Sequence, residues 1–210
     1  LIWMERETQP LHVTATSSNT DLIADPTVTY ISDDSTGSLS FTPLADQYGT
    51  TTITVSVEDG GLDNNLSTTG DNATTTETFD VIVHPVNDAP TLDSIDDLTI
   101  DEDAPEQTVE LSGITAGVNE LQPLRVTASS SNTDLIADPT VAYTSADSTG
   151  SLSFTPLADQ HGTSTITVTV EDGGLDGNLG TVADNLSVTK SFEVTVTPVN
   201  DSPTLNGFGL

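Results

Sequence analysis

One offset governs this chain. Gln9 aligns with Gln122, a spacing of 122 − 9 = 113 residues, and every later match keeps that spacing without insertion or deletion. Ser18 to Val28 equals Ser131 to Val141 residue for residue, Thr36 to Gln47 equals Thr149 to Gln160, and Glu58 to Asp63 equals Glu171 to Asp176. The register closes with Pro85-Val86-Asn87-Asp88 repeated as Pro198-Val199-Asn200-Asp201. A period this long exceeds a solenoid turn and matches a small domain able to bury its own core. The organisation it dictates is one repeat over residues 1–90, a complete repeat over 91–203, and the start of a next repeat over 204–210. The equivalents of Leu92 to Gly113 would precede residue 1. The first repeat therefore lacks its opening strand, either because a boundary cuts it or because a neighbouring chain supplies it.

Within a repeat, apolar residues alternate strictly with polar ones. Ile53, Val55 and Val57 alternate with Thr52, Thr54 and Ser56, and Ile166, Val168 and Val170 do the same in the second copy. A period of two is that of a strand with one buried and one wet face. The same rule marks Leu98 and Ile100, Val109 and Leu111, Leu124 to Ala128, Val141 and Tyr143, Leu152 and Phe154, and Phe192 to Val196. With a short strand near Leu135 and Ile136, about seven strands are expected, separated by Asp, Asn, Gly and Pro turns. The fold class is all-β, a tandem of Greek-key β-sandwiches. The high Thr content suits pleated strands and disfavours helices.

Charge narrows the partners. The chain holds 33 Asp plus Glu against 3 Lys plus Arg, a formal charge of −30. Nucleic acid is excluded because neutralising phosphates needs clustered Lys and Arg; the balance points to cations. The sequence contains no long apolar run for a transmembrane helix, and Leu1 to Gln9 lacks the pattern of a signal peptide. The absence of Cys removes disulfides and thiolate metal sites. Histidines do not recur in register: His12 aligns with Arg125, His84 with Thr197, and His161 with Tyr48. A catalytic triad or His-metal site built into the repeat is thereby disfavoured, and the expectation is no enzyme. Lys190 aligns with Glu77, which excludes a repeated Lys isopeptide staple. Three N-glycosylation patterns begin at Asn65, Asn72 and Asn185 and matter only in a eukaryotic secretory pathway.

The junction Val81-Ile82-Val83-His84-Pro85-Val86-Asn87-Asp88-Ala89-Pro90 resembles the closing strand and linker of a cadherin repeat. Glu102-Asp103-Ala104-Pro105, Thr149-Gly150-Ser151-Leu152 and Val170-Glu171-Asp172-Gly173-Gly174 fall in that family's order. Val-Asn-Asp-Ala-Pro paired with Thr-Pro-Leu-Ala-Asp-Gln-x-Gly-Thr is similar to the cadherin-like tandem repeats of very large bacterial surface and secreted proteins. The resemblance spans residues 8 to 205. It implies an elongated extracellular array whose junctions bind Ca²⁺ and stiffen. Carried over by position, it implies metal ligands at Asn87 and Asp88, Asn200 and Asp201, Asp59 and Asp172, and Glu102 with its neighbour Asp103. Asp46 and its equivalent Asp159 complete the set. Two departures reduce the carboxylate count: Leu44-Ala45-Asp46-Gln47 and Ser130-Ser131-Asn132 stand where the family has further acids.

Topology supports such a site separately. If the strand before the last is antiparallel to it, Asp172 lies beside the linker entering the second copy, and Asp46 at the exit pole of the first. Asp46, Asn87, Asp88 and Asp172 would then gather from three segments into the oxygen-only donor set a hard cation takes. Asp and Asn are equally the ordinary residues of turns, and Asp21, Asp25, Asp33, Asp34 and Asp63 are assigned to turns or solvated surface. The expected role is a non-enzymatic, extracellular or cell-surface repeat module, a calcium-stiffened spacer or adhesive stalk. Two alternatives stay open: binding of polysaccharide or of like modules, and service as an accessory domain of a secreted polysaccharide hydrolase.

Overall fold

The computed structural model describes residues 9–32 and 34–203; the opening segment Leu1 to Arg6, Asp33 and the expected next-repeat start at 204–210 lie outside them. Two compact units divide at the linker, Leu1–Pro85 and Val86–Leu210. No described residue is helical, so no helix is long and apolar enough to cross a membrane.

The second unit contains the expected seven strands: β6 (Leu98–Asp101), β7 (Gln107–Leu111), β8 (Leu124–Ser130), β9 (Thr140–Ala142), β10 (Gly150–Phe154), β11 (Gly162–Asp172) and β12 (Ser187–Thr197). They form a four-stranded sheet in the order β6-β12-β11-β8 and a three-stranded sheet β7-β10-β9. All pairings are antiparallel except β6 with β12, which runs parallel with Leu98 opposite Val194 and Ile100 opposite Val196. The alternating residues read from sequence supply the core: Ile166, Val168, Val170, Leu152 and Val194 are fully buried, joined by Leu111, Phe154, Phe192 and Val196. Leu135 and Ile136 are buried but not a strand. Both of their N–H groups donate to Asn132 O, closing a turn, and Ile136 makes one isolated bridge to Pro156. The Asn132-Thr133-Asp134 turn chemistry overrides the apolar pair there.

The first unit comprises β1 (Leu11–Ser17), β2 (Thr27–Thr29), β3 (Ser38–Ser40), β4 (Gly49–Asp59) and β5 (Thr74–Val83). They pair as β1-β4-β5 and β2-β3. These are the counterparts of β8 to β12, and among the described residues nothing corresponds to β6 or β7.

Details repeat with the sequence. Ser17 N–H donates to Asp25 Oδ1 and Ser130 N–H to Asp138 Oδ1, both at 2.8 Å. The Tyr30 and Tyr143 hydroxyls each donate to a backbone carbonyl four residues on, both at 3.1 Å. Even the Thr51 to Ser164 exchange conserves its function. Each hydroxyl is buried, bonded to a serine hydroxyl on the first strand of the shared core (Ser17, 2.9 Å; Ser130, 2.8 Å), and accepts the Asn19 or Asn132 N–H. A buried hydroxyl so satisfied avoids the cost of burying an unpaired polar group.

Arg125 and Glu171 face each other across β8 and β11 and form an ion pair. Hydrogen bonds from Asn185 and Arg125, with the Arg125 charge, hold the Glu171 carboxyl below its ordinary value. A lowered native pKa stabilises the fold above the unfolded-state value, and that contribution disappears as pH falls through the native one. Arg125→Gln should therefore cost no more than about 1 kcal/mol at neutral pH, as befits a surface pair. The cost should shrink as pH falls through the lowered native pKa of Glu171, as urea unfolding at neutral and at strongly acidic pH would show.

The two units supply an internal comparison of burial. Leu152 is fully buried and its counterpart Leu39 is only half-buried. Leu152→Ala should cost about 2–5 kcal/mol and Leu39→Ala clearly less, measured by denaturant unfolding of the two variants.

Candidate metal centre at the end of the second repeat

Three carboxylates meet where the chain leaves β12. One oxygen from each of Asp103, Asp159 and Asp201 lies within 4.8 Å of the others, and all three residues are exposed. They come from separate segments: Asp103 from the turn after β6, Asp159 from the turn before β11, and Asp201 from the segment after β12. Asp103 and Asp159 occupy the left-handed region, with φ of 63° and 58°. Asp and Asn tolerate that conformation where most residues do not. Asp159 N–H donates to Asp103 Oδ1 at 3.3 Å, so the two turns are tied to each other.

Glu102 anchors the third segment to the first. It is buried, at 7% exposure. Its N–H donates to Thr197 O at 2.8 Å, and its Oε1 accepts the Val199 N–H at 2.7 Å, two residues before Asp201. Thr197 Oγ1 adds bonds to Ile100 O and Asp101 Oδ1. His161 Nδ1 stands 3.6 Å from Glu102 Oε2 and brings an imidazole to the neighbourhood of the site. Desolvation first, then repulsion from Asp159, Asp103 and Glu102, raises the Asp201 carboxyl above its ordinary value. The ionised form of Asp201 is thus disfavoured in the native state, and a cation among the three carboxylates removes that penalty. Asn200 donates its Nδ2 to Asp201 O at 3.2 Å.

The donor set suits a hard cation. Oxygens within 4.8 Å of one another can all reach an ion at about 2.3–2.6 Å, and the three converging donors are all carboxylate oxygens. Glu102, Asp103, Asp159 and Asp201, all anticipated from sequence, are brought to one place.

The opposite pole of the same unit has a different chemistry. Asp172 is fully buried at the end of β11. Its Oδ1 accepts the Gly174 and Leu186 N–H groups, both at 2.9 Å, and Asn87 Nδ2 reaches both oxygens at 3.2 Å. Asn87 also donates to Asp184 O at 3.0 Å and accepts from Gln122 Nε2 at 2.6 Å. Asp88 N–H donates to Glu120 Oε1 at 3.1 Å. Asn87 and Asp172 thus meet as the antiparallel topology required, through hydrogen bonds that pin the linker to the β11–β12 loop. Asp59 repeats the arrangement in the first unit, its Oδ1 accepting Gly61 N–H at 3.0 Å and Ala73 N–H at 2.9 Å. Asp46 sits in that unit's left-handed turn, φ 56°, at the position matching Asp159.

Sequence reasoning passed over Glu120, Gln122 and Asp184. Asp184 Oδ2 accepts Leu175 N–H at 2.8 Å and Asp71 Oδ2 accepts Leu62 N–H at 2.7 Å. The recurrence of that Asp inside the most divergent loop was the available signal. It also explains Gly174, at φ 59°, whose added Cβ would stand 2.5 Å from Asp184 Cγ. Glu120 and Gln122 recur at the same offset, as Glu7 and Gln9, but nothing in their spacing points to the linker they bond. The amides of Asn72 and Asn185, in two of the glycosylation patterns, donate to Glu58 and Glu171 and serve the fold.

Two sheets and seven strands around one core give the second unit the architecture of an immunoglobulin-like β-sandwich repeat. Residues 87–189 match the family model described as bacterial Ig domain. No curated protein matches the chain. Among solved structures, human mucin-like protocadherin EC1-2 is similar at 16% identity over 93% of this chain and 92% of that one, with a TM-score of 0.46. Domains 1–6 of the surface layer protein SbsC are similar at 17% identity, covering 90% of this chain and 20% of theirs, TM-score 0.36. An endo-fucoidan hydrolase of glycoside hydrolase family 107 is similar at 20% identity over 91% of this chain and 24% of its own, TM-score 0.36. The chain thus spans about a fifth of the surface-layer structure's length.

Asp172→Ala removes the side-chain acceptor of three donors in a fully buried position. It should destabilise the second unit by about 2–4 kcal/mol with or without Ca²⁺, since leaving a buried donor unsatisfied costs about 1–3 kcal/mol and some of the orphaned N–H groups can recruit water. Denaturant unfolding in calcium and in chelator would show equal losses.

Proposed function

We propose that the chain is a non-enzymatic stretch of a longer extracellular or cell-surface protein, in which the second repeat binds Ca²⁺ through Asp103, Asp159 and Asp201. The observation that carries this reading is the convergence of three exposed carboxylates from three separate segments. An uncompensated cluster of like charge is costly unless something neutralises it. Extracellular modules typically bind Ca²⁺ with dissociation constants of about 10⁻⁴ to 10⁻³ M, so millimolar calcium is sufficient.

The mechanical consequence follows from where the ligands lie. Asp201 belongs to the segment leaving the repeat, whereas Asp103 and Asp159 belong to turns of the sandwich body. An ion shared among them fixes the direction in which the chain departs, and Glu102 already clamps its root at Val199. Pro85 and Pro90 bracket the linker ahead of the second unit with no Gly between them. Proline restricts backbone freedom in the same sense. The role is that of a spacer or stalk that calcium stiffens.

Thermal melting of the chain in a calcium titration, with chelator as reference, tests the assignment. At tenfold excess over the dissociation constant the ion should add about 1.4 kcal/mol to the second unit. Asp201→Asn should raise the melting temperature in chelator, because it removes a disfavoured charge, and should abolish most of the calcium increment. Asp34→Ala should leave that increment intact. Equal loss from both substitutions would reduce the effect to diffuse screening and defeat the assignment.

A further inference from the structure

Four side-chain oxygens among the described residues are buried without accepting a hydrogen bond, and two of them lie at the linker pole of the second unit: Glu120 Oε2 and Gln122 Oε1. The other two, Asn72 Oδ1 and Asn185 Oδ1, recur at the repeat offset, 185 − 72 = 113, and so belong to the repeat's own loop. Glu120 and Gln122 both flank the linker, through bonds to Asp88 and Asn87. A buried acceptor left unmatched is costly, the more so on a carboxylate, and in native proteins such an atom marks a water or an ion.

The donors at this pole are engaged away from the two oxygens. Gln122 Nε2 donates to Asn87 Oδ1 at 2.6 Å, Asn87 Nδ2 to both Asp172 oxygens at 3.2 Å and to Asp184 O at 3.0 Å, and Asp88 N–H to Glu120 Oε1 at 3.1 Å. What remains is oxygen: Glu120 Oε2, Gln122 Oε1, and the carbonyl and carboxylate of Asp88. Gly117 shows how closely these groups gather. A Cβ added there would stand 2.6 Å from Glu120 Oε2, 2.9 Å from Asp88 Cβ and 3.3 Å from Asp88 O, so Glu120 and Asp88 border one space that a glycine at φ 136° leaves open. A water in that space would give two hydrogens and then need donors for its own lone pairs. A cation needs oxygens alone.

We infer that the linker pole of the second unit binds a Ca²⁺ of its own through Glu120, Gln122 and Asp88. This donor set departs from the Asn87, Asp88 and Asp172 that the cadherin resemblance implies: Asn87 and Asp172 are bonded to each other, and Glu120 and Gln122 take their place. Carboxylate, amide carbonyl and backbone carbonyl together suit Ca²⁺, whereas Mg²⁺ usually keeps several of its waters. Asp88 lies in the linker and Glu120 and Gln122 in the loop between β7 and β8, so an ion shared among them ties the entering chain to the sandwich body. The assignment does not rest on the site of Asp103, Asp159 and Asp201 at the other pole.

The test uses the full chain carrying Asp201→Asn, so that the other pole does not contribute. Calcium chloride added to about 10 mM, some tenfold above the weakest dissociation constants usual for extracellular modules, should shift the Gln122 side-chain amide and the Asp88 backbone amide in nuclear magnetic resonance spectra, saturably. Magnesium at the same concentration should shift them less. Glu120→Gln keeps an acceptor for the Asp88 N–H and removes the charge; it should leave the chain folded in chelator and weaken calcium binding at least about tenfold. Gln122→Glu exchanges the bond to Asn87 for a second carboxylate, and should lower the melting temperature in chelator while enlarging the calcium increment. Three results would overturn the inference: no shift at either amide, an unchanged titration in Glu120→Gln, which would leave water at the pole, or a Gln122→Glu chain that calcium does not restore. Melting that depends on Asp201 while these amides stay still would defeat this site and leave the one at Asp103, Asp159 and Asp201 standing.

Discussion

A strand with one apolar face is stable only when that face is covered, and this chain tests the rule against itself. Phe154 and Phe192 are buried to the last few per cent in the second unit, whereas Phe41 and Phe79, 113 positions earlier, are more than a third exposed in the first. Local propensity cannot account for that, because it is the same in both. Cover can: β6 and β7 supply Ile100, Val109 and Leu111 to the second sandwich and complete its two sheets. Burial of a single large aliphatic or aromatic side chain is worth about 1.5–3 kcal/mol, so the apolar residues of β6 and β7 contribute a large share of the second unit's stability.

The abundant acids divide by what surrounds them. Asp172, Asp59, Asp184 and Asp71 accept backbone N–H groups and hold the loop between the last two strands in its shape. Asp25 and Asp138 do the same for the end of the first shared strand. Asp103, Asp159 and Asp201 each bring one carboxylate oxygen within 4.8 Å of the others, and Asp103 also accepts the Asp159 N–H. The two classes are indistinguishable by residue type and nearly so by spacing.

The positions carried over from the cadherin resemblance lie at both poles of the second repeat, and Asn87 and Asp172 meet there through hydrogen bonds that the antiparallel run of β11 and β12 makes possible. Glu120 and Gln122 escaped notice because neither belongs to a motif; they matter only through the proximity of the β7–β8 loop to Asn87 and Asp88.

Periodicity and the repeat, both properties of the sequence alone, determined the all-β class, the strand count of the complete repeat, the core positions on β8 and β10 to β12, and the absence of a recurring catalytic histidine. Those are consequences of alternation and arithmetic, which survive without knowing where any strand lies. Tertiary structure alone decided that Asp103 lies beside Asp159 and Asp201, and that Glu120 and Gln122 bond the linker at Asp88 and Asn87. Each of those depends on which segments lie side by side, and the three carboxylates, 159 − 103 = 56, 201 − 159 = 42 and 201 − 103 = 98 positions apart, leave no local trace of their meeting.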